Sequence, residues 1–280
     1  MRRPNPAMIV ASFVAIATVV LPCGGRAESE DERKQACANP DMRTRVVGNK
    51  FCLAIRTFGS ETSGPSPTLV VVLHGDGSSG APPEYHNAIA KALGTNGVVA
   101  VGMIRPGYEG KDERASDGSA SRSDHYTAEN VDAVADAVMR LKTHYKARAM
   151  VMIGHSGGAA TTGVIIGRHP GMVDRALLIS CPCDIRRWRD MKRRSAWHSS
   201  LSPADYAAKV PATTKVIAIT GEKDDNTDQE LAKDYIAALT ARGITAKFAA
   251  VPGAGHNITR TMRATAEYAQ ALKDIVAGNF

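Results

Sequence analysis

Gly154-His155-Ser156-Gly157-Gly158 sets a serine between glycines two positions to either side. It follows the aliphatic run 149–153 directly, and a helical pattern opens behind it and runs to Arg168. A turn this tight forces the serine into a strained backbone conformation, and side chains at the two flanking positions would collide with it, so both must be glycine. The five letters alone arise by chance too readily to assign a role. Their place between a buried strand and a helix is what gives them weight. A serine hydroxyl is a weak nucleophile at neutral pH unless a base takes its proton and a carboxylate orients that base. Downstream, Gly221-Glu222-Lys223-Asp224-Asp225 follows the apolar run 215–220, and Gly253-Ala254-Gly255-His256-Asn257 follows the run 246–251. Both stretches fall at carboxyl ends of expected strands, where open α/β sheets place their sites. The candidate set is Ser156, Asp224 and His256. Asp225 is the alternative acid; the three-residue offset from Gly221 favours Asp224 and leaves Asp225 to cap the next element.

Upstream, Leu73-His74-Gly75-Asp76-Gly77 ends a strand and begins a glycine-rich loop. Such a loop can aim a backbone N–H at the oxygen that turns negative when a carbonyl becomes tetrahedral, with the amide of Gly157 as the second donor. Either Asp76 or Gly77 would supply the first amide. His155 is expected to pack rather than react, and His74 to hold its loop by hydrogen bonds. His86, His125, His144, His169 and His198 are expected at the surface.

The elements that must position these residues follow from the apolar pattern. From residue 68 onward short aliphatic runs alternate with longer helical patterns, which predicts a mostly parallel sheet with crossover helices. Strands are expected at 69–73, 98–104, 149–153, 176–179, 215–220 and 246–251, and an antiparallel pair at 46–47 and 51–58 joined through Gly48-Asn49. Helices are expected over 84–93, over 127–145 with Thr127 at its start, and over 259–276. The 69–73 run is aliphatic throughout, the mark of a strand buried on both faces. At 280 residues, 44% apolar and 22% charged, the chain is neither disordered nor fibrous, and it lacks the periodicity of a repeat protein.

Taken together, His74-Gly75, Arg105-Pro106-Gly107-Tyr108, Gly154-His155-Ser156-Gly157-Gly158, the Gly221-to-Asp224 turn and Gly255-His256 resemble the α/β-hydrolases, over nearly all of the chain after residue 27. The resemblance implies an α/β-hydrolase fold and acyl transfer through serine, aspartate and histidine in that chain order, with no metal or organic cofactor. It implies a small cap-like insertion as well, and the stretch 184–210 lies where such caps occur. Within it, Arg186, Arg187, Arg189, Lys192, Arg193 and Arg194 stand against Asp184 and Asp190, a net of +4, beside both tryptophans of the protein. One reading has Trp188, Trp197 and Tyr108 lining the substrate entrance while the cations draw in an anionic substrate, a membrane surface or an acidic polymer. The other has a solvated helix face with two packing tryptophans. No groove-reading motif accompanies the charge, so nucleic acid is not an expected partner.

Arg2 and Arg3 precede an apolar run of about 14 residues from 8 to 21, followed by Pro22, Gly24, Gly25 and Ala27. This predicts a secretory leader, 1–27, too short for the roughly 20 residues of a spanning helix, with the remainder, 28–280, as a single domain. Its removal takes away three arginines and no acid, lowering the net charge from +7 to +4, and places the protein outside the cytoplasm, secreted or periplasmic. Four cysteines would remain, an even number for an oxidising compartment. Cys37 with Cys52 is the preferred pair; Cys181 and Cys183 either close a small strained ring or stay as thiols. The expected activity is hydrolysis of carboxylic esters. A peptidase or amidase of the same fold is the first alternative, and a non-catalytic binding protein that kept the fold is the second.

Overall fold

The computed structural model describes residues 1, 29–77, 84–110, 114–119, 121 and 123–280. The expected leader therefore lies outside the described residues, apart from Met1. Eight strands form one sheet in the order β1-β2-β4-β3-β5-β6-β7-β8. They are β1 (Arg45–Gly48), β2 (Phe51–Phe58), β3 (Thr68–Leu73), β4 (Val98–Met103), β5 (Ala149–His155), β6 (Arg175–Ile179), β7 (Lys215–Gly221) and β8 (Ala246–Val251). β1 pairs antiparallel with β2, and β2 antiparallel with β4; every other pairing is parallel.

The sheet is buried on both faces because the strand interiors are aliphatic and their side chains alternate. Leu69, Val71 and Leu73 of β3 join one core with Val134, Val138 and Leu141 of α3 (Ala128–His144) and with Val164 and Ile165 of α4 (Gly157–Arg168). α7 (Gln229–Thr240) adds Ile236 and Leu239 to the same layer. Val70 and Val72 point the opposite way, into a second core with Ile89 and Ala90 of α2 (Tyr85–Leu93) and Tyr268 and Ile275 of α8 (Ala266–Ala277). Two layers of helix thus clamp the sheet and fix the ends of its strands. Among the described residues no helix is long and apolar enough to cross a membrane.

Several sequence expectations are corrected. A polar helix, α1 (Glu30–Ala38), precedes the sheet; Ser29 and Glu32 cap it reciprocally, and it buries none of its residues. With no apolar stripe it left no periodic signal. The C-terminal helix is shorter than expected, with a separate 3₁₀ turn at Met262–Ala264 before it. His86 and His125 are buried, not exposed. The His86 ring packs 5.1 Å from that of His74, and His125 Nε2 lies 2.7 Å from the carbonyl oxygen of Pro106. Asp225 does not cap α7; Asp228 does, accepting the amide of Glu230. Both cysteine pairs are closed, Cys37 to Cys52 with Cα atoms 5.7 Å apart and Cys181 to Cys183 at 5.0 Å. The first ties α1 to β2.

Candidate active site

The carboxyl ends of β3, β4, β5, β7 and β8 meet at one edge of the sheet, and the candidate residues lie in the loops that leave them. Ser156 occupies the turn between β5 and α4 with φ 53° and ψ −118°, a left-handed conformation that costs a non-glycine residue roughly 1–3 kcal/mol. Its N–H donates to the carbonyl of Ile179 at 2.9 Å and its own carbonyl accepts from Ala160 at 3.0 Å, so the neighbouring strand and helix hold the strained turn. The flanking glycines are required for close backbone approach. A Cβ on Gly154 would lie 2.3 Å from the carbonyl oxygen of Gly158, and one on Gly158 2.5 Å from that of His74.

His256 reaches across from the loop after β8. Its Nε2 lies 3.0 Å from Ser156 Oγ, and its Nδ1 lies 3.0 Å from each carboxylate oxygen of Asp224. Because the carboxylate only accepts, Nδ1 carries the proton and Nε2 is left with a lone pair facing the serine hydroxyl. The side chain of Asp224 is fully buried, and its Oδ1 also accepts the amides of Asn226 at 3.0 Å and Thr227 at 2.8 Å. Burial alone would raise its carboxyl pKa, but the hydrogen bond and charge of His256, with the Thr227 amide, hold it below the usual carboxylate value. Asp225 stands at the exposed rim of the same cavity, its backbone carbonyl accepting from Lys192 Nζ. The geometry thus separates the two candidate acids that the sequence left open.

A cavity of about 550 Å³ opens over Ser156 and His256. Trp188, Trp197, Asp76 and Gly77 line it, as do Arg189 and Arg194 of the cationic stretch, and so does Asn226, which sequence reasoning did not single out. Asn226 Nδ2 is 3.1 Å from His256 Nε2, and its carbonyl accepts from Trp188 Nε1 at 2.9 Å, so one residue links the cap to the histidine. Tyr108 does not line the cavity. It is turned inward and buried, and its hydroxyl donates to Asp76 Oδ1 at 2.9 Å. The loop bends it away because Asp76 needs partners: Arg105 forms an ion pair with the same oxygen, and Tyr126 donates to Oδ2 at 2.5 Å. Burial raises the Asp76 pKa and the Arg105 charge with the tyrosine hydroxyls more than offsets it, leaving the group below its ordinary value.

The three loops are also joined beneath the site. Gly75 N–H donates to Tyr85 Oη at 2.5 Å, the Tyr85 hydroxyl donates to His155 Nδ1 at 2.7 Å, and His155 Nε2–H donates to the His256 carbonyl at 3.0 Å. Every donor in that chain has one acceptor, which fixes the tautomer of His155. Burial, with the neighbouring His256, pushes the His155 pKa down to about 4, so the ring is neutral at physiological pH. The Gly75 amide is committed to Tyr85, which leaves Asp76 and Gly77 as the loop amides near Ser156. His74 Nδ1 donates to the Gly75 carbonyl at 2.7 Å and its Nε2 accepts from the Arg105 amide at 3.0 Å, the loop-holding part expected of it. Among the described residues no group of three or more His, Cys, Asp or Glu side chains is placed to hold a metal ion.

The sequence pattern of the prolyl oligopeptidase family (Peptidase_S9) matches residues 110–275, which span more than half of the chain. The chain belongs to the prolyl oligopeptidase family. It is a serine hydrolase of the α/β-hydrolase superfamily. Among solved structures this family member is similar to Est1E from Butyrivibrio proteoclasticus with ferulic acid bound, at TM-score 0.66 and 16% identity, covering 84% of this chain and 98% of that one. A hyperthermophilic esterase from Pyrobaculum calidifontis aligns at TM-score 0.61 and 18% identity over 84% of this chain and 83% of its own. The acylaminoacyl peptidase of Pyrococcus horikoshii aligns at TM-score 0.62 and 12% identity, over 82% of this chain but only 39% of the peptidase. At such identities the likeness is one of fold. No curated protein sequence matches the chain.

Proposed function

We propose that this protein hydrolyses carboxylic esters through an acyl-enzyme intermediate, with Ser156 as nucleophile, His256 as general base and then acid, and Asp224 orienting the imidazole. The observation that carries the reading is the unbroken hydrogen-bonded line from Ser156 Oγ through His256 to the buried Asp224, with 3.0 Å at each link. Ser156 Oγ attacks the ester carbonyl as its proton passes to His256 Nε2, and the imidazolium that forms is matched by the ionised Asp224. Charge developing on the carbonyl oxygen is met by the Gly157 amide, free of an intrahelical partner at the start of α4, and by the amide of Asp76 or Gly77. The alkoxide leaves with the proton held by His256. Water, deprotonated by the same nitrogen, then releases the acid and returns Ser156 to its starting state.

A small ester is favoured over a peptide because the cavity is compact and roofed by a short cap. A peptidase is the second reading, favoured by the family match, since the same relay cleaves amides when an amine leaving group is positioned for protonation. Wild type and Ser156→Ala are compared on short p-nitrophenyl esters and aminoacyl arylamides. Esters should be turned over and arylamides not, and the variant should lose five to six orders of magnitude, about what removing a triad serine costs elsewhere. Arylamide turnover that matches the ester rate would favour the peptidase, and an unchanged rate in Ser156→Ala would end both. We further propose that the protein is exported, with cleavage after Ala27; the two closed cysteine pairs support an oxidising location. N-terminal sequencing of the protein recovered from its native compartment tests this, and an intact Met1 there would refute it.

A further inference from the structure

The six cations of residues 184–198 do not act as one charged patch. Arg186 pairs with Asp205 and Arg187 with Asp234, both at the outer surface, and Lys192 donates to the backbone carbonyl of Asp225. Two of the six, Arg189 and Arg194, line the cavity over Ser156. Arg189 is unlike the rest. It is only 8% exposed, its guanidinium carbon lies 4.6 Å from the ring centre of Trp197 and 5.6 Å from that of Trp188, and its Nε donates to the Ser195 carbonyl at 2.9 Å. That hydrogen bond and the two indole faces fix the orientation of the fork, and no carboxylate among the described residues forms an ion pair with it. A guanidinium held this way is pre-organised, so binding an anion would freeze little additional side-chain motion. The acidic groups on the same walls do not cancel it. Asp76 is matched by Arg105 and two tyrosine hydroxyls, and Asp225 sits at the exposed rim beside Lys192.

We propose that Arg189, aided by Arg194 at the cavity mouth, is a carboxylate-binding subsite, and that the preferred substrates are esters carrying a free carboxylate besides the one the reaction releases. Trp188 and Trp197 give the rest of such a substrate an aromatic wall, so the geometry suits a short or aromatic acid whose charged end meets the guanidinium while its ester carbonyl meets Ser156. This deepens the ester-hydrolase reading and rests on it.

The test uses matched pairs that differ in one charge. Mono-4-nitrophenyl glutarate and its methyl ester carry or lack the charge on the acyl side; 4-carboxyphenyl butyrate and its methyl ester do so on the leaving group. For at least one pair the ratio of charged to neutral kcat/KM should fall about ten- to hundredfold in Arg189→Met, as expected for a lost charge-assisted hydrogen bond. The loss should lie mainly in KM, and Arg189→Lys should recover part of it. Arg187→Gln, which removes an equal charge paired outside the cavity, should leave the ratio within twofold. On the wild-type protein alone, 4-methylbenzoate should compete with a neutral ester and 4-methylbenzamide should not, a readout independent of how the variants fold. Ratios that stay within threefold for both pairs, or amide competing as well as carboxylate, would overturn the subsite. Loss of neutral-ester turnover in Ser156→Ala reports on the hydrolase reading separately.

Discussion

The turn around Ser156 and the cap from residue 184 to 210 face each other across one cavity, yet they are built on opposite terms. The turn is made of backbone: glycines that let carbonyls approach, a serine held at positive φ, and a neutral hydrogen-bonded chain through Tyr85 and His155 that contains no ion pair. The cap is made of side chains, many of them charged, and several of these are paired at the surface or laid on indole rings. Even its anchor uses a charged group: the Asp124 carboxylate accepts hydrogen bonds from the amides of His198, Ser199 and Ser200. The two sides of the cavity divide the labour. Groups that must hold a reacting geometry are fixed by covalent and hydrogen-bonded constraint, whereas groups that choose the substrate are fixed by packing and charge.

That division should show first in the two adjacent aspartates, one on each side of it. Asp224→Asn should lower turnover by about ten-thousandfold, because an amide can no longer hold the imidazole in the required tautomer, while Asp225→Asn at the rim should change it by less than about threefold. Steady-state rates on one neutral ester decide the point; equal losses would erase the boundary between relay and rim. A smaller effect is expected from acid. Unfolded, the imidazole of His155 takes up a proton near 6.5, whereas in the fold burial pushes its pKa down to about 4. The unfolded state therefore binds the extra proton as pH falls through that window, and stability should drop by roughly 1.4 kcal/mol per pH unit, about 3 kcal/mol in all. Urea unfolding of wild type and His155→Gln between pH 7 and pH 4 measures this, and a variant that loses as much as wild type would show the turn is not the acid-sensitive part. The least is expected from the cap's outer pairs. Arg186→Gln or Arg187→Gln should leave the urea midpoint nearly unchanged, since exposed ion pairs are solvated and screened. A large drop in the midpoint would mean the cap is held by its surface charge after all.

The same division explains how much the sequence disclosed. The Ser156 turn was legible because its constraint is local, three glycines and a serine placed behind an aliphatic strand. Asp224 and His256 were legible because each follows a strand end directly. The parallel strands were legible from their all-aliphatic interiors, and β3 lies at the centre of the sheet as such a run should. What failed were the long-range pairings. His86 and His125 looked like surface residues because the groups that bury them, the His74 ring and the Pro106 carbonyl, come from distant stretches. Tyr108 was expected in the entrance and instead faces Asp76, whose need for Arg105, Tyr108 and Tyr126 no local pattern announces. In the cap, six cations read alike as letters, and only the fold separates Arg189 from those that reach solvent. Ser29 and Glu32 were an overlooked local signal, a capping box without the apolar run that would have drawn attention to it, and Asp228, which caps α7 in place of Asp225, was another.

If His256 makes Ser156 nucleophilic, covalent labelling of the serine will show it. Wild-type protein treated with a fluorophosphonate should take up one label per chain, mapped by mass spectrometry to the peptide containing Ser156, and His256→Ala should react slower by several orders of magnitude. Label on another residue with Ser156 unmodified, or equal labelling rates in wild type and His256→Ala, would contradict the account.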